Sequence, residues 1–453
     1  MTFSLDTLMN DAALMAILLL AGVALRARLV WMQKLFLPAS ITAGLLGLLL
    51  GPNGLDWLGF SGHMASYPGI LIAFIFGSLG LAAQRVPLGR IAGRVGSMWS
   101  FGNMALIGMY GAGVLFALVF FSPFWSSMPE GFGLLLATGF VGGHGTAAAI
   151  GEVFAAHGWP EATSLAMTSA TVGVLCSIIG GIAIIRHNSR RGRTSFISEF
   201  GSLPAELRTG LVPTDKRESE SVETISSMTI EPLLFHLLLV TAVAGASFWL
   251  KGAIAALFDF AAPAFALAFL VGLGLNALLS VCGVRHYVSA PVINRIGSGA
   301  TDVLVAFGIA SINLAVVAAY FVPLLLLLLF GVAFSYCFFR YVAPCLFREY
   351  WFEKGLFGWG WFTGTVAMGI ALLRIVDPRL KSRTLDDFAL AYIFGAPVEI
   401  MLVTFSPILL IAGHSWLYVA ITLGTVAVIA AIATRAGWLR LPVADAGEAR
   451  TSR

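Results

Sequence analysis

The run Gly142-Gly143-His144-Gly145-Thr146, inside GFVGGHGTAAAIG at 139–151, leaves the backbone bare and puts a hydroxyl beside it. If a helix begins there, its first N–H groups carry about +0.5 of a charge and favour a carboxylate. Glycines of this kind also simply let helices approach closely. His144 fits a hydrogen-bonded structural role as well as that of a ligand or proton carrier. A second Gly-Thr corner, Gly364-Thr365, follows the aromatic run Gly358-Trp359-Gly360-Trp361-Phe362-Thr363, whose rings can wall a site or sit at an interface. Glu399 stands in the middle of the apolar stretch 386–412, where an ionised side chain costs about 3 kcal/mol at the centre of a membrane helix. A bound cation would compensate it, and Pro397 predicts a local break that frees carbonyl oxygens for one; a protonated structural Glu is the rival reading. Asn276, Asn313, Ser169, Thr171 and Ser177 also lie in apolar stretches, as oxygen ligands or as bonds between helices. Arg374, about nine residues past the second corner, reaches for a membrane surface more readily than for the corner. Asp302 and Glu152 sit nearer segment ends and read as solvated or capping.

The elements that carry these residues must be membrane spans. Of 453 residues, 58% are hydrophobic and only 11% charged, against about 25% charged in a soluble domain. Net charge is +4 and no basic, aromatic-interleaved face is present, so nucleic-acid binding has no footing. The seven His are dispersed, and Cys176, Cys282, Cys337 and Cys345 are scattered through apolar sequence, which reads as small buried hydrophobes. No nucleophile–base or metal-ligand constellation points to an enzyme. The first residues, MTFSLDTLMNDAA, lack a basic region before the first apolar stretch, which therefore stays as a span.

Spans are expected near 11–29, 36–52, 68–83, 98–121, 163–185, 230–250, 262–281, 301–319, 321–339, 386–412 and 415–434. Two further stretches, 131–156 and 355–373, are glycine-dense and interrupted by polar residues. With the N-terminus outside, Arg26, Arg28, Lys34, Arg85, Arg90 and Arg94 fall inside, as cytoplasmic loops demand. Making 131–156 a full crossing would then throw Arg186, Arg190, Arg191 and Arg193 outside. A re-entrant hairpin dipping in from outside restores the rule, and the basic flanks of 355–373 make that one a hairpin entering from inside. Of 27 Lys and Arg, only Lys251 then lies outside and Arg374 at a hairpin edge, and the C-terminus is inside.

Five crossings in the first half make the second half start in the opposite orientation, the condition for an inverted-topology repeat. AFIFGSLGLA at 73–82 and AFGIASINLA at 306–315 match at five of ten positions. The chain thus divides into a first membrane repeat (1–186), a polar cytoplasmic linker (187–228), a second repeat (229–412), and an additional span with a cytoplasmic tail (413–453). The fold expected is an all-α polytopic membrane protein with two inverted five-span repeats, each with a re-entrant hairpin, plus one extra C-terminal span.

These segments resemble the bacterial glutamate:sodium symporter family. The resemblance rests on FSLDTL at 3–8, LPASITAGLL at 37–46, GGHGT at 142–146, ATVGVL at 170–175 with Gly180-Gly181, and VGLGLNALLS at 271–280. It implies two inverted five-span domains, hairpins meeting at the substrate site, sodium as coupling ion with no other cofactor, a bacterial inner-membrane location and a homodimer. Four features depart from the family pattern: the second hairpin reads GWGWFTGTVA instead of pairing Gly-x-Gly with Ala-Thr-Pro-Thr, Glu399 stands where an Asp is expected, the linker is longer, and the last span is additional.

The expected activity is sodium-coupled symport of glutamate or a similar small carboxylate by alternating access. Gly142, Gly143, His144, Gly145, Thr146, Gly364 and Thr365 would hold the anion, and Asn313, Glu399, Asn276 and Thr171 the cations. Another organic anion, or coupling to protons through His144 or Glu399, is the alternative within this class. A channel or a non-transporting membrane receptor is the alternative outside it.

Overall fold

The computed structural model describes residues 4–83, 92–125, 128–189, 209–213, 224–258, 262–377 and 380–440. Most of the linker expected at 187–228 and the tail after 440 lie outside the described residues, as do Arg85 and Arg90. The apolar segments form helices because nothing else satisfies the backbone without water. Among the described residues ten are long and apolar enough to cross a membrane and no strand is present, so the chain is a helical, multi-pass membrane protein.

The first half runs α1 (Leu5–Arg28), α2 (Val30–Lys34), α3 (Ala39–Leu50), α4 (Tyr67–Leu81), α5 (Ala92–Phe116), α6 (Leu134–Gly139), α7 (Gly143–Ala156) and α8 (Glu161–Ser189). The second begins with α9 (Pro232–Phe258), α10 (Ala264–Val281), α11 (Ala290–Ala310), α12 (Leu314–Ala319), α13 (Phe321–Cys337) and α14 (Ala343–Leu346). It continues with α15 (Trp351–Thr363), α16 (Val366–Val376), α17 (Thr384–Ile411) and α18 (Ser415–Arg435).

Two expectations are corrected. The span placed at 301–319 is instead the 21-residue α11, which starts after Ser289 with Pro291 in its first turn and ends at Ala310. Beyond it Asn313 caps the six-residue α12; its side chain, accepting from Ala315 and Val316 N–H at 3.0 and 3.3 Å, starts a new helix inside sequence that is apolar throughout. The break expected at Pro397 is absent: α17 runs unbroken through Pro397 and Pro407. Pro397 still lacks the N–H that would bond the carbonyl four residues earlier. The cysteines are free thiols, but none is buried as expected: Cys176 and Cys345 are half-buried and Cys282 and Cys337 exposed.

The helices pack as two bodies. In one, α4 lies against α10 and α11, α3 against α1 and α11, and α9 against α4 and α10. Close approach here requires glycine: a Cβ on Gly272 of α10 would come within 2.6 Å of the Gly77 carbonyl of α4. In the other body α8 carries α6, α7, α15 and α16, while α5 carries α13, α17 and α18. Large buried rings fill it, Phe101, Phe140, Phe357 and Phe362 among them. The bodies touch chiefly where α7 meets α4 and α11 and where α8 meets α11.

Candidate functional site

Two helix breaks define the site. Between α6 and α7 the chain turns at Phe140–Gly142, and Gly143 opens α7 with φ +65°, a left-handed conformation that costs a side chain-bearing residue roughly 1–2 kcal/mol. Between α15 and α16 only Gly364 and Thr365 intervene. The two corners meet: a Cβ on Gly143 would lie 3.0 Å from the Thr365 methyl. Both are seated on α8, where Gly364 packs against Ser177. Ser177 donates to the Gly360 carbonyl at 3.1 Å, and its own carbonyl accepts from the Trp359 indole at 3.0 Å. Trp359 and Trp361 are buried, and Trp361 packs its ring on Phe388 and Tyr392 of α17. The aromatic run therefore walls the second corner.

A cavity of about 410 Å³ opens at these corners. One side is lined by Gly142 to Thr146, Thr365, Tyr392 and Glu399, all from the body that holds the breaks. The first turn of α7 leaves N–H groups without intrahelical partners, and Thr365 makes no side-chain cap to α16, so its hydroxyl is free for the cavity. Tyr392 donates to Glu399 Oε2 at 2.8 Å, seven residues on along the same helical face. Thr171 gives its hydroxyl proton to the Met167 carbonyl at 2.8 Å, so it accepts from His144 Nε2 at 3.2 Å. A hydroxyl has a single proton, and this fixes His144 with its proton on Nε2.

The structure gathers Gly142, Gly143, His144, Gly145, Thr146, Thr365 and Glu399 around one space, with Thr171 behind His144. It places Gly364 just behind the lining, against α8. It does not bring the two asparagines there. Asn276 donates to the Ala83 carbonyl at 2.7 Å and accepts from Arg285 Nε at 2.6 Å, bracing the end of α10 to the end of α4. Asn313 spends its carbonyl oxygen on the α12 cap. Glu152, expected to be solvated or capping, pairs with Lys251 of α9 at 3.2 Å.

Sequence reasoning missed the opposite wall. Ser78 of α4 and Asn294, Ser298 and Thr301 of α11 line the cavity from the other body. The spacing 294, 298, 301 puts three polar side chains on one helical face, a signal hidden by starting that span at 301.

The model of a family described as sodium/glutamate symporter matches residues 3–350. The chain belongs to the sodium/glutamate symporter family. Membership makes it a sodium-coupled transporter, in a family of symporters and not of enzymes. The matched region takes in the GGHGT corner and the polar wall of α11. It ends before α15, so the second corner, Glu399 and α18 lie beyond it. Comparison with curated proteins finds no match for the transporter.

Proposed function

We propose that this transporter carries glutamate or a similar small carboxylate inward with sodium by alternating access, and that the cavity between the two bodies is the substrate site. The observation that carries this reading is the meeting of two helix breaks at one cavity, with the Glu399 carboxyl 2.8 Å from Tyr392 on its wall. Unpaired N–H groups at the start of α7, with Thr146 and Thr365, suit a carboxylate. Glu399 and the carbonyl left without a partner by Pro397 suit a cation. Asn276 and Asn313 take no part in this arrangement, and Thr171 acts by orienting His144.

Glutamate bears net −1, and carrying it against an inside-negative potential costs about 2.3 kcal/mol per 100 mV. One sodium ion cancels that cost, and a second lets the potential drive uptake, so coupling to more than one cation follows. The order of elements supports two inverted repeats. Three helices of each half (α1, α3, α4 and α9, α10, α11) build one body, while α6–α7 and α15–α16 sit in the other as the two re-entrant hairpins. In this reading the repeats span 1–186 and 229–412, the N-terminus faces outward and the C-terminus inward across a bacterial inner membrane, and two copies associate. Uptake of labelled glutamate into proteoliposomes, with and without an inward sodium gradient, tests the assignment. Accumulation above equilibrium only with the gradient is expected; equal uptake without it, or none, overturns the reading.

A further inference from the structure

The wall contributed by α4 and α11 is chemically unlike the corner it faces. Asn294 and Ser298 are exposed to the cavity, and among the described residues neither side chain has a hydrogen-bond partner. Ser78 is only 2% exposed, and its hydroxyl is likewise unpartnered. Thr301 gives its proton to the Gly297 carbonyl at 2.9 Å and keeps its lone pairs. Among the described residues no Lys or Arg lines the cavity. Hydrogen-bonding capacity left unused in three neighbouring side chains, one of them buried, asks for a polar partner, because a buried polar group without one costs about 1–3 kcal/mol.

We propose that Ser78, Asn294, Ser298 and Thr301 form a neutral specificity subsite that holds the distal polar group of the substrate, while the GGHGT corner holds its head carboxylate. This rests on the cavity being the substrate site. A wall of hydroxyls and one carboxamide, with no cation, both donates and accepts, so it reads polarity and not charge. It accommodates a distal carboxylate or carboxamide and disfavours a hydrocarbon of the same length. Discrimination of this kind is strong when the rejected ligand leaves the site's own polar groups unpaired. Since the wall belongs to the body without the helix breaks, a substrate held at both ends bridges the two bodies.

The test is competition by glutamate, glutamine and 2-aminopentanoate against labelled glutamate uptake into proteoliposomes under an inward sodium gradient. These three share a head and differ only at the distal end. In the wild type, glutamine is expected within roughly tenfold of glutamate and 2-aminopentanoate at least tenfold weaker than either. In the Asn294→Ala, Ser298→Ala double variant, glutamate and glutamine should weaken by roughly tenfold toward 2-aminopentanoate, whose own inhibition stays put, with sodium half-saturation unchanged. Neither side chain bonds to the protein, so an unchanged melting temperature is expected and checks the fold. Glutamine as weak as 2-aminopentanoate in the wild type would show that charge is read and overturn the proposal. So would a double variant that weakens all three alike or leaves the gap between 2-aminopentanoate and the other two unchanged. Absence of sodium-driven glutamate uptake by the wild type would instead overturn the substrate-site reading itself, and this inference with it.

Discussion

Gly143 and Thr365, 222 positions apart, touch at the mouths of two helix breaks, with only 3.0 Å between a Cβ built on the glycine and the threonine methyl. Gly143→Ala therefore meets two penalties, the left-handed backbone at φ +65° and the crowded methyl. A loss of roughly 1–2 kcal/mol in stability is expected, with strongly reduced uptake. Gly145→Ala is the contrast, since its Cβ would meet only Ile72 Cδ1 at 3.7 Å. Melting curves in detergent and initial uptake rates should separate the two variants; equal behaviour would remove Gly143 from its assigned place.

Tyr392 holds Glu399. Tyr392→Phe deletes the 2.8 Å hydrogen bond while keeping the ring against Phe388 and Trp361. A hydrogen bond to a charged group is worth about 1.5–3 kcal/mol, so half-saturating sodium should rise tenfold or more with glutamate affinity at saturating sodium little changed. Glu399→Gln should abolish the sodium response. Sodium titration of uptake reads both, and an unshifted curve for Tyr392→Phe would show that Glu399 is not a cation ligand.

The corners and Glu399 were legible in the sequence because their residue types are anomalous where they stand: glycines and a threonine breaking an apolar run, a carboxyl inside another. The polar wall was not. Asn294, Ser298 and Thr301 lie on a helix whose other face is apolar, and a span drawn from its second half hides the spacing that unites them. Asn276 and Asn313 misled for a different reason. An amide in apolar sequence looks like a free ligand until its partners are known, and a cap or a brace uses the same oxygen. Pro397 misled because a helix held on several sides by neighbours keeps its course through a missing hydrogen bond.

Glu152 on α7 and Lys251 on α9 join the two bodies at 3.2 Å, each side chain about one-third exposed. Such a pair is worth up to about 1 kcal/mol. Lys251→Met should shift the balance between the two end states by about fivefold at most, seen as a changed ratio of inward to outward exchange rates. The exchanged pair Glu152→Lys, Lys251→Glu should restore it. A double variant no better than either single would rule out a direct ionic link.

Asp11 of α1 is fully buried and accepts from the Ser61 N–H at 2.9 Å, from the Ser61 hydroxyl, and from Tyr67 at 2.7 Å. It pins the loop before α4 within the body that lacks the helix breaks. Asp11→Ala leaves these donors unpaired and should cost about 1–3 kcal/mol for each one stranded, seen as a lower melting temperature. The sodium half-saturation of protein that remains folded should be unchanged; a large shift would connect this cluster to the cavity.

The last helix, α18, lies along α5, where Gly111 meets Thr422 and Gly108 faces Val426, and it also contacts α17. It is thus built into the body that bears the helix breaks and, among the described residues, lies outside the main packing of α1, α3 and α4. If one body slides past the other, Arg435 at the end of α18 travels with it like a needle on a gauge. A pair of spin labels, one near Arg435 and one near Leu5 at the start of α1, would then record the stroke length directly, in ångströms, without any label touching the cavity.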